Sequence, residues 1–237
     1  MNREDADIET SSAGYARRFT GPVGTWFLEL QAASTLALLS PWPTATVLEV
    51  GGGHGQLTGP LLQAGHRVTV YGSAEACRER VAGWVEAGQA DFACGDLLRA
   101  RWPDQSFDVV LCFRLLPHVT QVDELIAELC RLARRAVIVD YPTLRSVNAV
   151  SGALFGLKKG VEGNTRPFTV FRDREILSLF ARHGFRATGR RPQFFFPMAL
   201  HRGLGVAAVS RGLEAIATGL RLTRWFGSPV ILRLERG

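Results

Sequence analysis

Val47-Leu48-Glu49-Val50-Gly51-Gly52-Gly53-His54-Gly55 runs from an apolar segment into a glycine-rich turn, with one acid just inside the apolar part. A helical pattern follows at Leu57, Leu61, Leu62 and Ala64. Strand, glycine turn and helix in that order make a nucleotide-type cofactor site at the carboxyl end of a parallel strand. The glycine spacing discriminates between cofactors. In the dinucleotide fingerprint G-x-G-x-x-G, the last glycine counted from Gly51 falls on Gln56, and counted from Gly53 on Thr58. Such a site also wants an acid at the end of the second strand, where this chain has Gly72. The spacing that does fit is E-x-G-x-G-x-G: Glu49, Gly51, Gly53, Gly55.

Outward from that stretch, strand and helix patterns alternate, which predicts a mostly parallel sheet with helices on both faces. Before it, Trp26, Phe27, Leu30, Ala33, Leu36 and Ala37 recur at helical spacing until Pro41 and Pro43 stop the run. Strands are predicted at 46–50, 67–71, 91–94, 107–113, 136–140, 186–196 and 229–234, with a helix near 74–86. Thr120-Gln121-Val122-Asp123 reads as a capping box. It opens a helix whose stripe is Val122, Leu125, Ile126, Leu129 and Leu132. Another helix, 173–183, closes at Gly184. Two segments exceed a minimal sheet: Thr143–Val170, and Pro197–Gly227 between the last two strands. Both are too apolar for disorder and read as a substrate cap.

The chain has 237 residues, 46% of them hydrophobic and 21% charged, which suits one soluble domain with a full-sized core. No apolar run is long enough for a membrane span. Met1–Thr10 carries four acids and reads as a disordered tail, not a secretory signal. The four cysteines, Cys77, Cys94, Cys112 and Cys130, lack metal-ligand spacing. They read as small buried residues of a reducing cytoplasm, and no metal site is expected. Net charge is +6, unevenly spread: residues 166–237 hold 13 arginines against 4 acids. A basic third of this kind faces a nucleic acid, an anionic membrane or an anionic substrate, or it is a set of solvated arginines.

Glu49, Gly51, Gly53 and Gly55 resemble motif I of the class I S-adenosylmethionine (SAM) methyltransferases, and the resemblance extends over roughly residues 44–142. Gly95-Asp96-Leu97 follows the third strand, Phe107-Asp108-Val109-Val110 resembles the F-D-x-V of that family, and Leu116-Pro117-His118-Val119 its L-x-H-V. The pattern is similar to the broad group of small-molecule and ubiquinone- or menaquinone-biosynthesis-type methyltransferases. The resemblance implies an α/β fold: a doubly wound, Rossmann-like, mostly parallel seven-stranded sheet with helices on both faces and helical cap insertions. It implies one methyltransferase domain over 1–237. Within it, 1–43 would be tail and lid helices, 44–142 the SAM-binding half, 143–170 and 197–227 the caps, and 228–237 the last strand.

The cofactor implied is SAM. Gly51, Gly53 and Gly55 would let the backbone approach its methionine part. Glu49 would accept from its amino group or satisfy turn amides, and Asp96 would accept from the adenine amine or cap the turn before Leu97. The family's ribose-binding acid is missing at Gly72, leaving Ser73 or Glu75 as substitutes. Phe113 and Arg114 follow strand four at the ligand edge. Arg114, together with Arg17 and Arg18 beside Tyr15 and Phe19, is a candidate partner for an anion.

A hydroxyl acceptor needs a base of near-neutral pKa, for which His118, His201 and Tyr141 are the candidates. Asn164-Thr165-Arg166-Pro167-Phe168 adds polar groups, and His54 is expected to pack over the cofactor. The expected partner is a small, largely hydrophobic molecule, with O-, N-, S- and C-acceptors all open. RNA is disfavoured, because neither an appended RNA-binding module nor a D/N-P-P-Y/F motif is present. The helix around Gly203–Arg221 reads either as a core-packed cap or as a helix lying on an anionic membrane. A catalytically silent binding partner that keeps the fold is the remaining alternative.

Overall fold

Thr46–Val50 forms the first strand, β1, because consecutive β-branched and long apolar side chains can be buried on both faces of a central strand. Val47 enters the core on one face and Leu48 the core on the other. The computed structural model describes residues 4–146 and 168–237. Its strands are β1, β2 (Arg67–Gly72), β3 (Ala90–Cys94), β4 (Phe107–Cys112), β5 (Ala133–Tyr141), β6 (Phe185–Phe194) and β7 (Ser228–Arg236). They form one sheet in the order β3-β2-β1-β4-β5-β7-β6. The pairs from β3 to β5 are parallel, and β7 runs antiparallel between β5 and β6. This is the seven-stranded, mostly parallel, Rossmann-like sheet expected.

The helices, in chain order, are α1 (Ala6–Ser11), α2 (Ala13–Ala16), α3 (Gly21–Leu39), α4 (Thr58–Gln63), α5 (Ala82–Glu86), α6 (Val122–Leu132), α7 (Asp173–Ala181), α8 (Met198–Leu204), α9 (Ala207–Gly219) and α10 (Leu222–Phe226). Leu125, Ile126 and Leu129 of α6 and Ile176 and Phe180 of α7 pack on the Leu48 face of the sheet. Leu38 and Leu39 of α3 and Leu61 of α4 pack on the Val47 face. A third cluster joins Tyr15, Phe19, Trp26 and Phe27 from the N-terminal helices to Phe194 at the end of β6.

Three local expectations are corrected. Residues 4–10 are not a tail, since Ala6–Ser11 is a helix docked on the domain. The predicted capping box at Thr120 does not form. Helix α6 starts at Val122 without a side-chain cap, and Thr120 instead donates through its amide and hydroxyl to Glu4 Oε2, at 3.0 and 3.2 Å. The single helix predicted near 74–86 is a 3-10 segment, Glu75–Val81, running into α5. Of the first insertion, residues 147–167 lie outside the described part, and with them Asn164, Thr165, Arg166 and Pro167. The second insertion is α8–α10, which packs against α3 and β6.

Candidate functional site

The glycine turn sits at the carboxyl end of β1, between β2 and β4. Gly51 and Gly55 take left-handed backbone angles, φ 70° and 66°, which fold the chain sharply, and their amides donate to the Tyr71 and Gly52 carbonyl oxygens at 2.8 and 2.9 Å. At Gly53 the reason for glycine is contact: a Cβ there would lie 2.4 Å from the Cys77 carbonyl oxygen and 2.4 Å from Ser11 Oγ. Glu49 is buried beneath the turn and accepts from the Thr58 hydroxyl at 2.6 Å. Burial pushes its carboxyl up to about 7, against the opposing pull of that hydroxyl. His54 is also buried, and its Nδ1 accepts from the Gln56 amide at 3.1 Å. Desolvation first, then the Arg114 charge, drives His54 down to about 3, so it is a neutral ring and not a base.

The missing acid at Gly72 has a packing reason. A Cβ at that position would lie 2.6 Å from Cys77 Cβ, so no carboxylate fits there. A different carboxylate arrives from the N-terminal helix. Asp7 Oδ2 accepts from the Ser73 amide at 2.7 Å and from the Cys77 thiol at 3.3 Å. Asp7 Oδ1 is buried without a hydrogen-bond partner. The sequence offered no signal for this, because Asp7 and Ser73 are 66 residues apart.

Other expected cofactor residues divide. Asp96 Oδ1 accepts from the Leu98 amide at 3.0 Å, the turn-capping role. The Leu97 and Phe113 side chains point into the core rather than toward a ligand. Arg114 has a left-handed φ of 60°. It donates its amide to Asp140 Oδ1 at 2.6 Å, its Nε lies 3.6 Å from Asp140 Oδ2, and its terminal nitrogen donates to Gln31 Oε1. Its guanidinium also lies 5.1 Å from the Phe19 ring centre. Arg114 is thus fixed at the carboxyl edge of β4 and β5. Around it stand Tyr15, with Arg18 over its ring at 5.0 Å, and Arg202, whose pKa is lowered by burial and by the Arg18 and Arg114 charges.

Two of the three proposed bases are corrected. His201 has no exposed surface. Its Nε2 lies 3.0 Å from Glu214 Oε1, and Trp26, Phe27, Phe194 and Phe196 surround its ring. Tyr141 is buried and donates to Asp173 Oδ1 at 3.1 Å, and burial with that carboxylate raises its pKa strongly. Neither ring is available to a substrate. His118 is half-buried in the loop after β4, its ring 5.5 Å from that of Phe168. Among the described residues no cluster of His, Cys, Asp and Glu is placed to hold a metal ion.

The turn fits the methyl donor implied by the sequence: a tight glycine cradle, a buried acid beneath it and an orphaned carboxylate oxygen of Asp7 beside it. Residues 48–139 match the model of a family described as a methyltransferase domain. Among solved structures, similar folds include a magnesium protoporphyrin IX methyltransferase from Synechocystis with bound S-adenosylhomocysteine (SAH), at 19% identity. There the match covers 96% of each chain, with a TM-score of 0.66. A second is the Haloferax volcanii complex between the Trm112 methyltransferase activator and a methyltransferase, at 14% identity, 99% of each chain and a TM-score of 0.64. A third, from Bacillus halodurans, is at 12% identity with a TM-score of 0.61, covering 86% of this chain and 99% of that one. A comparison with curated protein sequences finds no match. The fold is that of the class I methyltransferases. Residues 48–139 carry a SAM-dependent methyltransferase domain, and the glycine turn Gly51–Gly55 lies within it.

Proposed function

We propose that the protein transfers a methyl group from SAM to a small, largely hydrophobic molecule that carries an anionic group. The observation behind this reading is the edge after β4 and β5. Arg202 lies near Arg18 and Arg114 there, burial and their charges lowering its pKa, and the buried carboxylate Asp140 is already held by Arg114. The Tyr15 and Phe19 rings lie against the Arg18 and Arg114 guanidiniums and belong to an apolar cluster with Trp26 and Phe27. Cationic excess in a largely apolar setting selects amphiphilic anions.

When bound, SAM supplies a methyl on a sulfonium, a group reactive enough that alignment and exclusion of water are the protein's main tasks. Gly51–Gly55 gives the donor a backbone cradle, and Asp7 adds a carboxylate beside Ser73. Arg114, locked by Asp140, Gln31 and Phe19, sets the shape of the acceptor end, and the N-terminal helices shield it from water. His118 is the remaining histidine of the post-β4 loop for an acceptor that must lose a proton.

Calorimetric titration with SAH tests the donor half, with Gly53→Asp as control. Micromolar binding that disappears in the control supports the reading; no binding by the native protein removes it. The acceptor half is tested with labelled SAM and a panel of paired aromatic or alkyl acceptors, each with and without a carboxylate. Arg18→Gln and Arg202→Gln are expected to raise KM for the anionic members at least tenfold and leave their neutral partners unchanged. Equal loss on both sets would contradict charge recognition.

A further inference from the structure

Helix α9 is packed inside out. Ser210, Glu214 and Ala217 are buried, whereas Val209, Ile216 and Leu220 at its end face solvent, 49, 64 and 67% exposed. With half-buried Leu213, residues 209, 213, 216 and 220 repeat at intervals of four, three and four, which is one stripe of a helix. The orientation has a cause. Glu214 accepts from the amides of Phe195 and Phe196, each at 2.9 Å, and its Oε1 meets His201. Leaving those amides and that ring unpaired in the interior is expensive, so Glu214 dictates which side of α9 turns inward. The apolar stripe is left outside.

The stripe is not isolated. Val206 before it and Trp225 and Phe226 of α10 after it are also exposed, at 50, 51 and 40%. Single exposed apolar residues need no explanation, but a run of them on consecutive elements does. Its charges are of one sign. Between Met198 and Gly227 the only acid is Glu214, which is buried, and Arg211, Arg221 and Arg224 are exposed on the same helices. Arg145 lies 5.6 Å and Arg224 5.8 Å from the centre of the Trp225 ring, so cations border the aromatic end as well. Of these, Arg211 is paired with Glu29 at 3.0 Å.

We infer that α9 and α10 form a peripheral binding surface for an anionic lipid bilayer. The apolar stripe would enter the headgroup boundary, and Arg221 and Arg224 would pair with lipid phosphates and carboxylates. A second copy of the chain is the less favoured occupant, because a two-fold contact on this face would set arginines against their own copies. No helix among the described residues is long and apolar enough to cross a membrane, so the contact is to the surface.

The test is co-sedimentation with vesicles of phosphatidylcholine alone and with about one-third phosphatidylserine, at low and high salt. The full-length protein is expected to sediment with the anionic vesicles, to be released by salt and to ignore the neutral ones. The double variant Ile216→Asp, Leu220→Asp removes two side chains that are already exposed and is expected to cut binding at least tenfold, with unchanged thermal unfolding and SAH affinity. Arg221→Glu with Arg224→Glu is expected to abolish the preference for anionic vesicles. Failure of the native protein to bind anionic vesicles at low salt would overturn the inference. So would binding unaffected by the aspartates, or sedimentation-velocity dimers that those aspartates dissolve in a protein without vesicle affinity. Because SAH titration is run on every variant, failure of the membrane surface and failure of the methyltransferase reading are told apart.

Discussion

Glu49 and His54 lie five residues apart in one buried turn, and their ionisations oppose each other. Folding raises Glu49 from 4.5 to about 7, so between those values the folded state binds the extra proton and stability falls as pH rises. Folding lowers His54 from 6.5 to about 3, so there the unfolded state binds the extra proton and stability rises with pH. From pH 4.5 to 6.5 the two slopes largely cancel. Glu49→Gln removes one of them. That variant is expected to lose stability on acidification through this window at up to about 1.4 kcal/mol per pH unit more than the native protein does. At pH 8 it is expected to be the more stable of the two, by up to about 3 kcal/mol. Urea unfolding at pH 4.5, 5.5, 6.5 and 8 checks both, and parallel curves for the two proteins would show that Glu49 is ionised in the fold. The acid and the glycines of this turn were legible in the sequence because their spacing is local. That burial raises the pKa of this acid was not, because burial depends on Thr58, Val70 and the rest of the assembled sheet.

At the scale of elements, the contrast lies between helices read by periodicity and helices held by distant polar contacts. Helix α6 was visible from its stripe, and Leu125, Ile126 and Leu129 are fully buried as that stripe requires. Helix α1 was invisible: six residues are too few for a pattern, and its acids suggest solvent. Two acids anchor it, Glu4 just before the helix to Thr120 and Asp7 within it to Ser73, across 116 and 66 residues of chain. Asp7→Ala leaves the Ser73 amide without that buried acceptor, at a cost of about 1–3 kcal/mol. Thr10 and Ser11 are buried with Ala6 against the glycine turn and residues 75–81, but α1 is short and lies outside the sheet, so its docking is expected to fail before the sheet does. Hydrogen exchange of residues 6–19 is therefore expected to accelerate at least tenfold in the variant, with β1, β4 and β5 unchanged, and SAH affinity to fall with it. Uniform acceleration across the sheet would mean that Asp7 supports the whole domain; no acceleration would mean that α1 is held by something else. The same contrast explains His201. Its neighbours in sequence looked like a pocket, yet Trp26 and Phe27, from far upstream, close over the ring.

For the whole molecule, alternating strand and helix patterns were enough to predict the parallel half, because right-handed crossovers leave few ways to assemble it. The antiparallel end was less determined, since about thirty residues separate β6 from β7. In the structure the last strand is not an edge. β7 lies between β5 and β6, pairing Tyr141 with Val230 on one side and Phe194 with Ser228 on the other. Val230, Ile231, Leu232 and Leu234 are buried, and Arg236 donates to the carbonyl oxygens of Cys130 and Ala133 at 2.7 and 2.8 Å. The sheet is therefore completed by the final ten residues of the chain. Removing 228–237 unpairs both faces of that ladder and exposes four large apolar side chains, worth roughly 1.5–3 kcal/mol each. That sum rivals the whole stability of an ordinary domain, about 5–15 kcal/mol. A chain ending at Gly227 is expected to lack a cooperative thermal transition and to bind a hydrophobic dye, although it retains every residue of the glycine turn. A cooperative transition in the truncated chain would mean that the parallel half, β1 to β5, folds by itself and that the antiparallel end is an appendage.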